Sequence, residues 1–166
     1  MNLHNQVALI TGASRGIGRA ILDALAQAGA TVIGTATSDS GAEAISHYIA
    51  EKGYQGSGKK LLVNDNDAIE ALIKDIAAEF APVAILVNNA GITHDNLLMR
   101  MKPEEWDKVI DTNLSSVYRL SKAVLRDMMK ARSGRIINIT SVVGIMGNAG
   151  QTNYAATKAG LIGFSK

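Results

Sequence analysis

A chain of 166 residues that is 47% hydrophobic and 19% charged has the material for one globular domain with a real core. Its net charge of +2 and aromatic content of 4% argue against a nucleic-acid partner, and the absence of cysteine excludes disulfides, thiolate chemistry and a Cys-based zinc site. No apolar run approaches the roughly 20 residues that cross a bilayer, the start lacks the basic and apolar regions of a signal peptide, and His4, His47 and His94 lack ligand spacing, so a cytoplasmic protein with no membrane segment and no metal is expected.

Val7-Ala8-Leu9-Ile10 is a short apolar run ending in Thr11-Gly12, and from Ile17 the apolar positions take helical spacing through Ala20, Ile21, Ala24, Leu25 and Ala28. This reads as a buried strand turning into a helix. Between them, Gly12, Gly16 and Gly18 permit a tight turn, close backbone approach to a pyrophosphate and close packing of helix on strand. The N–H groups and positive dipole end of the helix would then face the anion.

Gly29 is the expected C-cap, and Thr31 to Thr35 reads as the second strand. An acid after such a strand would hold the ribose 2′-hydroxyl of NAD, but no carboxylate occurs before Asp39, and Arg15 stands in the glycine loop. The pattern favours a 2′-phosphate and hence NADP; the alternative is that Arg15 is only solvated and Asp39 reaches back. A helix over Gly41 to Lys52, capped by Ser38 or Ser40, should lead into a flexible Gly53 to Gly58 loop and a third strand at Lys60 to Val63.

Asn64 or Asp65 should cap an amphipathic helix from Ala68 to Phe80, followed by a fully apolar strand at Ala84 to Val87. Alternation of strand and helix with short loops means a Rossmann-type, doubly wound parallel sheet. The turn Asn88-Asn89-Ala90-Gly91 follows a strand's carboxyl end, where open α/β sheets place ligands. Pro103-Glu104-Glu105 starts a helix whose pattern runs to Met129, long enough to imply a bend or a partner helix, with Asn113 inside it. Asn113 is either solvated or marks a bend where side chain and freed backbone hold a water; the residues alone favour the solvated reading.

Gly134 to Ser141 reads as the fifth strand, with the Ser141 hydroxyl at its end able to donate to a carbonyl oxygen, although a turn serine would look the same. A glycine-rich loop then leads to Tyr154 and Lys158, an i, i+4 pair in an alanine-rich helix. A phenol is a poor acid at neutral pH until a fixed cation beside it stabilises the phenolate.

In this order Thr11-Gly-x-x-x-Gly-x-Gly18, Asn88-Asn-Ala-Gly91, Asn113, Ser141 and Tyr154-x-x-x-Lys158 resemble the short-chain dehydrogenase/reductase family, over nearly the whole chain. Within it the segments Gly12 to Ala20, Asn88 to Met101, Thr112 to Val117 and Gly147 to Lys166 are similar to the bacterial members that reduce 3-oxoacyl thioesters for fatty-acid synthesis. The resemblance implies a four-residue site. Tyr154 would donate the proton, Lys158 would assist it and hold the nicotinamide ribose, Ser141 would bind the carbonyl oxygen, and Asn113 would position a relay water.

By the same resemblance Gly12, Ser14, Arg15, Gly16, Ile17, Gly18 and Thr37 would hold the phosphates of NADP(H), with Asn89, Ala90 and Gly91 along its adenosine and ribose. Val63 would also bind the cofactor, although the acid or amide that in the family's usual Asp-Val or Asn-Val meets the adenine is here Leu62, with Asn64 and Asp65 only after Val63. The implied partner is an acyl-carrier protein, facing Lys122, Arg126, Lys130 and Arg132 unless these are simply a solvated face, and the implied assembly is a homotetramer. Family members continue through a sixth strand, a loop over the nicotinamide, a substrate lid and a seventh strand, so the C-terminal part of the fold is expected to lie outside these 166 residues.

Overall fold

The computed structural model describes residues 2–166. Five parallel strands lie in the order β3-β2-β1-β4-β5: β1 Val7–Ile10, β2 Thr31–Ala36, β3 Gly56–Lys60, β4 Val83–Asn88 and β5 Arg135–Asn138. Strand order reverses between β1 and β4, which pair with Ile10 opposite Val87, and this is where a doubly wound sheet opens its crevice. Alternation along β1 divides the core. Leu9, with Ile33 and Leu86, meets Leu72, Ile76, Leu120 and Val124 on one face, whereas Ala8 and Ile10, with Val32 and Val87, meet Leu22, Ile45 and Ile49 on the other.

The helices are α1 Gly16–Gln27, α2 Asp39–Glu51, α3 Asn66–Glu79, α4 Pro103–Ile110, α5 Ser116–Ala131, α6 Val143–Met146 and α7 Thr152–Ser165. Their starts follow local chemistry. Ser38 Oγ accepts from Gly41 N at 3.1 Å to cap α2, Asp65 Oδ1 accepts from Ala68 N at 3.0 Å to cap α3, and the Glu105 carboxylate accepts from Lys102 N at 2.9 Å at the start of α4.

Three expectations are corrected. The third strand lies at Gly56–Lys60, beginning inside the stretch expected to be a flexible loop and ending at Lys60, the expected start of the strand. Its glycines serve packing: a Cβ on Gly58 would stand 2.0 Å from Ala42 O of α2, so only glycine lets that helix lie so close to the sheet. The fifth strand ends at Asn138, leaving Thr140 and Ser141 in the loop beyond, and that loop contains the short helix α6. The long helix expected after Pro103 is broken by a π-helical segment at Asp111–Ser115, with Asn113 at its centre and only 1% exposed, so the solvated reading of Asn113 is wrong. The extra residue of a π turn rotates the side chain inward.

Candidate active site

A cleft of about 510 Å³ opens where the carboxyl ends of β1, β2 and β4 converge. Gly12, Ser14, Arg15, Gly16, Ile17 and Gly18 form one wall; Thr37 and Val63 lie at one end and Asn89, Ala90 and Gly91 at the other. The buried Thr11 joins these walls: its Oγ1 accepts from Asn89 N at 3.1 Å and Ala90 N at 3.0 Å. In return the Asn89 amide donates to Thr11 O at 3.0 Å and Gly12 O at 3.1 Å. Gly18 completes the approach, since a Cβ there would stand 2.2 Å from Gly12 O, while nothing lies within 4 Å of a Cβ on Gly16 at the open mouth.

This cradle fits a dinucleotide diphosphate. Arg15, the N-cap of α1, makes no side-chain cap bond, and no acid occupies the first turn, so the helix leaves its N-terminal N–H groups for an anion. Arg15 is exposed and forms no ion pair among the described residues. Asp39 is turned elsewhere: its carboxylate accepts from Lys60 Nζ at 2.7 Å across a separate depression, and that bond holds the carboxyl below its usual range. The strand-end residues on the cleft wall are Leu61 and Val63, whereas Leu62, between them, faces another depression at 45% exposure.

Asn113, Ser141, Tyr154 and Lys158 come from three segments that α7 holds together. The helix lies on the π segment, where a Cβ on Gly160 would meet Leu114 Cδ2 at 3.1 Å, and on α6, where a Cβ on Gly144 would meet Lys158 C at 2.7 Å. Lys158 is 5% exposed; its Nζ donates to Ile139 O at 2.7 Å and stands 5.6 Å from the centroid of the Tyr154 ring. Burial pulls the lysine pKa below its ordinary value, because the charged form loses hydration. Thr140 Oγ1 donates to Lys158 O at 2.8 Å, fixing the β5 loop to the helix beside Ser141, whose Oγ accepts from Val143 N at 3.2 Å. The Tyr154 side chain is half-buried, and its hydroxyl makes no hydrogen bond among the described residues.

Ser38, Ile92 and Thr112 also line the cleft without having been marked as site residues by the sequence. Ser38 could have been found, since the cap of a helix following β2 points at the same crevice; Ile92 and Thr112 carry no such signal. The basic positions Lys122, Arg126, Lys130 and Arg132 are exposed, but α5 runs away from the cleft, so Lys130 and Arg132 lie at the end from which β5 starts rather than beside the site.

The family model for short chain dehydrogenase matches residues 6–166. Among curated proteins, those named 3-oxoacyl-[acyl-carrier-protein] reductase FabG are similar over the whole chain. The proteins from Escherichia coli, Vibrio harveyi and Pseudomonas aeruginosa are 66%, 64% and 60% identical, and in each the match covers 67% of the relative and 100% of this chain.

Proposed function

The chain belongs to the short-chain dehydrogenase/reductase family, and from that membership we propose that it is a 3-oxoacyl-[acyl-carrier-protein] reductase of fatty-acid synthesis. The observation that carries the reading is the placement of Tyr154 and the buried Lys158 on one helix, tied through Thr140 and Ile139 to the loop bearing Ser141. A nicotinamide cofactor belongs to this chemistry, and NADPH is the form we propose. Arg15, which lines the same cleft as Thr37 and Ser38 and forms no ion pair among the described residues, supports a 2′-phosphate, with Asp39 engaged by Lys60.

The glycine loop and α1 N-terminus would hold the diphosphate, Val63 the adenine end, and Asn89, Ala90 and Gly91 the adenosine and ribose side. When bound, the nicotinamide would supply the hydride to the 3-oxo carbon. Tyr154 would give its hydroxyl proton to the 3-oxo oxygen, completing the secondary alcohol, while Ser141 Oγ donates a second hydrogen bond to that oxygen. Lys158 would favour the phenolate left behind and hold the nicotinamide ribose. Because the Asn113 side chain is engaged elsewhere, a relay water toward Lys158 would rest on a main-chain carbonyl that the π turn frees from its ordinary helical partner.

The acyl group would arrive on an acyl-carrier protein, the carrier in the relatives' name. We propose a homotetramer in the cytoplasm; Tyr118, Leu125 and Met129, exposed along α5, give an apolar face for a second copy to cover. Among the described residues no helix is long and apolar enough to cross a membrane.

The test is oxidation of NADPH, followed by absorbance, with acetoacetyl thioester. Turnover with NADPH is expected, with Tyr154→Phe losing about 100-fold or more in kcat and NADH serving poorly. Binding of NADPH with no turnover on any 3-oxoacyl thioester would overturn the reading in favour of a nucleotide-binding protein.

A further inference from the structure

Asn153 precedes Tyr154, is 0% exposed, and engages every part of its amide. Its Oδ1 accepts from Tyr154 N at 2.8 Å; its Nδ2 donates to His94 O at 3.0 Å and, less closely, to Glu105 O at 3.4 Å. The Tyr154 N–H is a first-turn donor of α7 that no intrahelical carbonyl can serve, and Gln151 at the N-cap offers no side-chain bond. One buried amide therefore joins the tyrosine's backbone to the segment after β4 and to α4.

That segment is gripped at its other end as well. The amide of Asn113 exchanges two hydrogen bonds with Ile92, so residues 92–94 form a strap between two buried asparagines. Ile92 also lines the dinucleotide cleft. The links beside it, Gln151 to Asp95 and Asn96 N to Gly150 O, are of the kind that exchange with water at the surface, whereas Asn153 has no water to turn to.

We propose that Asn153 is a positioning residue for the reductase reaction: through the strap 92–94 it sets Tyr154 against Asn113 and the cleft wall. It rests on the reading of Tyr154 as proton donor given above. Asparagine is the required residue type, because two carbonyl oxygens need donors and one N–H needs an acceptor. Aspartate keeps the shape and the acceptor but turns a carboxylate toward the oxygens of His94 and Glu105.

The experiment compares wild type, Asn153→Asp and a remote core control, Ile76→Ala, which lies in the α3 layer away from the cleft. For Asn153→Asp, kcat per folded protein is expected to fall about 30-fold, with a changed pH dependence of kcat and NADPH affinity within about threefold of wild type, a loss of the size seen when a reacting group is misplaced. Ile76→Ala should lose Tm while keeping its kcat and pH profile. Hydrogen exchange provides a readout independent of turnover: Asn153→Asp should speed exchange together across 92–96 and 152–158 and leave 11–19 unchanged. If Asn153→Asp does not fold, Asn153→Ser, which is too short to reach either carbonyl, replaces it. Unchanged kcat per folded protein, or a loss that merely follows Tm as in the control, overturns the proposal. Exchange that rises in only one of the two segments also overturns it. Coupled exchange in a protein whose wild type reduces no 3-oxoacyl thioester would uphold the positioning and overturn the assigned reaction instead.

Discussion

Asn113 and Ile92 are joined in both directions: Asn113 Oδ1 accepts from Ile92 N at 2.8 Å, and Asn113 Nδ2 donates to Ile92 O at 2.8 Å. Asn113 is almost fully buried, so removing its amide strands a backbone N–H and a C=O in a site where water has little access. Asn113→Ala should lower stability by about 2–3 kcal/mol and kcat by about 10-fold or more, since the strap beside the cleft loses its fixed end. Urea unfolding and steady-state kinetics on one preparation check this; a variant that loses neither would mean the strap is held from elsewhere.

Arg15 offers a test of cofactor choice that leaves the reacting groups untouched. A guanidinium on a 2′-phosphate contributes a charge-assisted contact of about 1.5–3 kcal/mol, so Arg15→Ala should weaken NADPH binding about 10- to 100-fold. NADH, lacking that phosphate, should change less than about threefold on the same scale. Fluorescence titration of both cofactors measures the contrast: equal losses for the two would place Arg15 on the diphosphate they share, and no loss for either would return it to the solvated role.

The parts of the fold that were legible are those whose signal is local. The apolar runs of β1 and β4 and the glycine loop between β1 and α1 stand where the sequence places them, because burial on both faces leaves a continuous hydrophobic stretch. The residues expected to hold the phosphates, adenosine and adenine side line one cleft, since the strand-loop-helix order alone puts those loops at the same sheet edge, whereas Tyr154 and Lys158, expected at the nicotinamide ribose, are not among its lining residues. What failed depends on distant partners. Gly56-Ser57-Gly58 looks like a loop until α2 is laid on it, and Asn113 looks solvated until the π turn brings it to Ile92. The spacing of Tyr154 and Lys158 is common on solvated helix faces and gains meaning only beside the glycine loop, Asn113 and Ser141, whereas the role proposed for Asn153 rests on His94 and Glu105, separated from it by 59 and 48 positions.

The packing argument for β3 has a paired test. Gly58→Ala places a methyl where Ala42 O stands 2.0 Å away and Ile45 Cβ 2.8 Å away, so α2 or the strand must move, at about 2–4 kcal/mol. Gly163, inside α7, has nothing within 4 Å of a Cβ, and Gly163→Ala should stabilise by up to about 1 kcal/mol through helix propensity. Thermal unfolding of the two variants should therefore move in opposite directions. A harmless Gly58→Ala would show that α2 can lift from the sheet without loss.

Lys158 sets catalysis against stability. Burial disfavours its charged form in the folded protein and lowers its pKa from the ordinary 10.5, so between the folded and unfolded values the unfolded chain binds more protons. Stability from this group must then rise with pH: the full penalty applies below the folded value, where the lysine is charged in both states, and it disappears as pH climbs through the folded value toward 10.5. Lys158→Met removes the charge and keeps the length of the chain. It also gives up the bond to Ile139 O, which offsets part of the gain, so the net stabilisation at pH 7 should be about 1 kcal/mol. The difference from wild type should shrink near pH 10, and turnover should be lost along with the cation beside Tyr154. Urea unfolding at the two pH values decides it. A variant less stable than wild type at pH 7, or a difference indifferent to pH, would mean that Lys158 keeps enough hydration in the folded state to carry its charge freely.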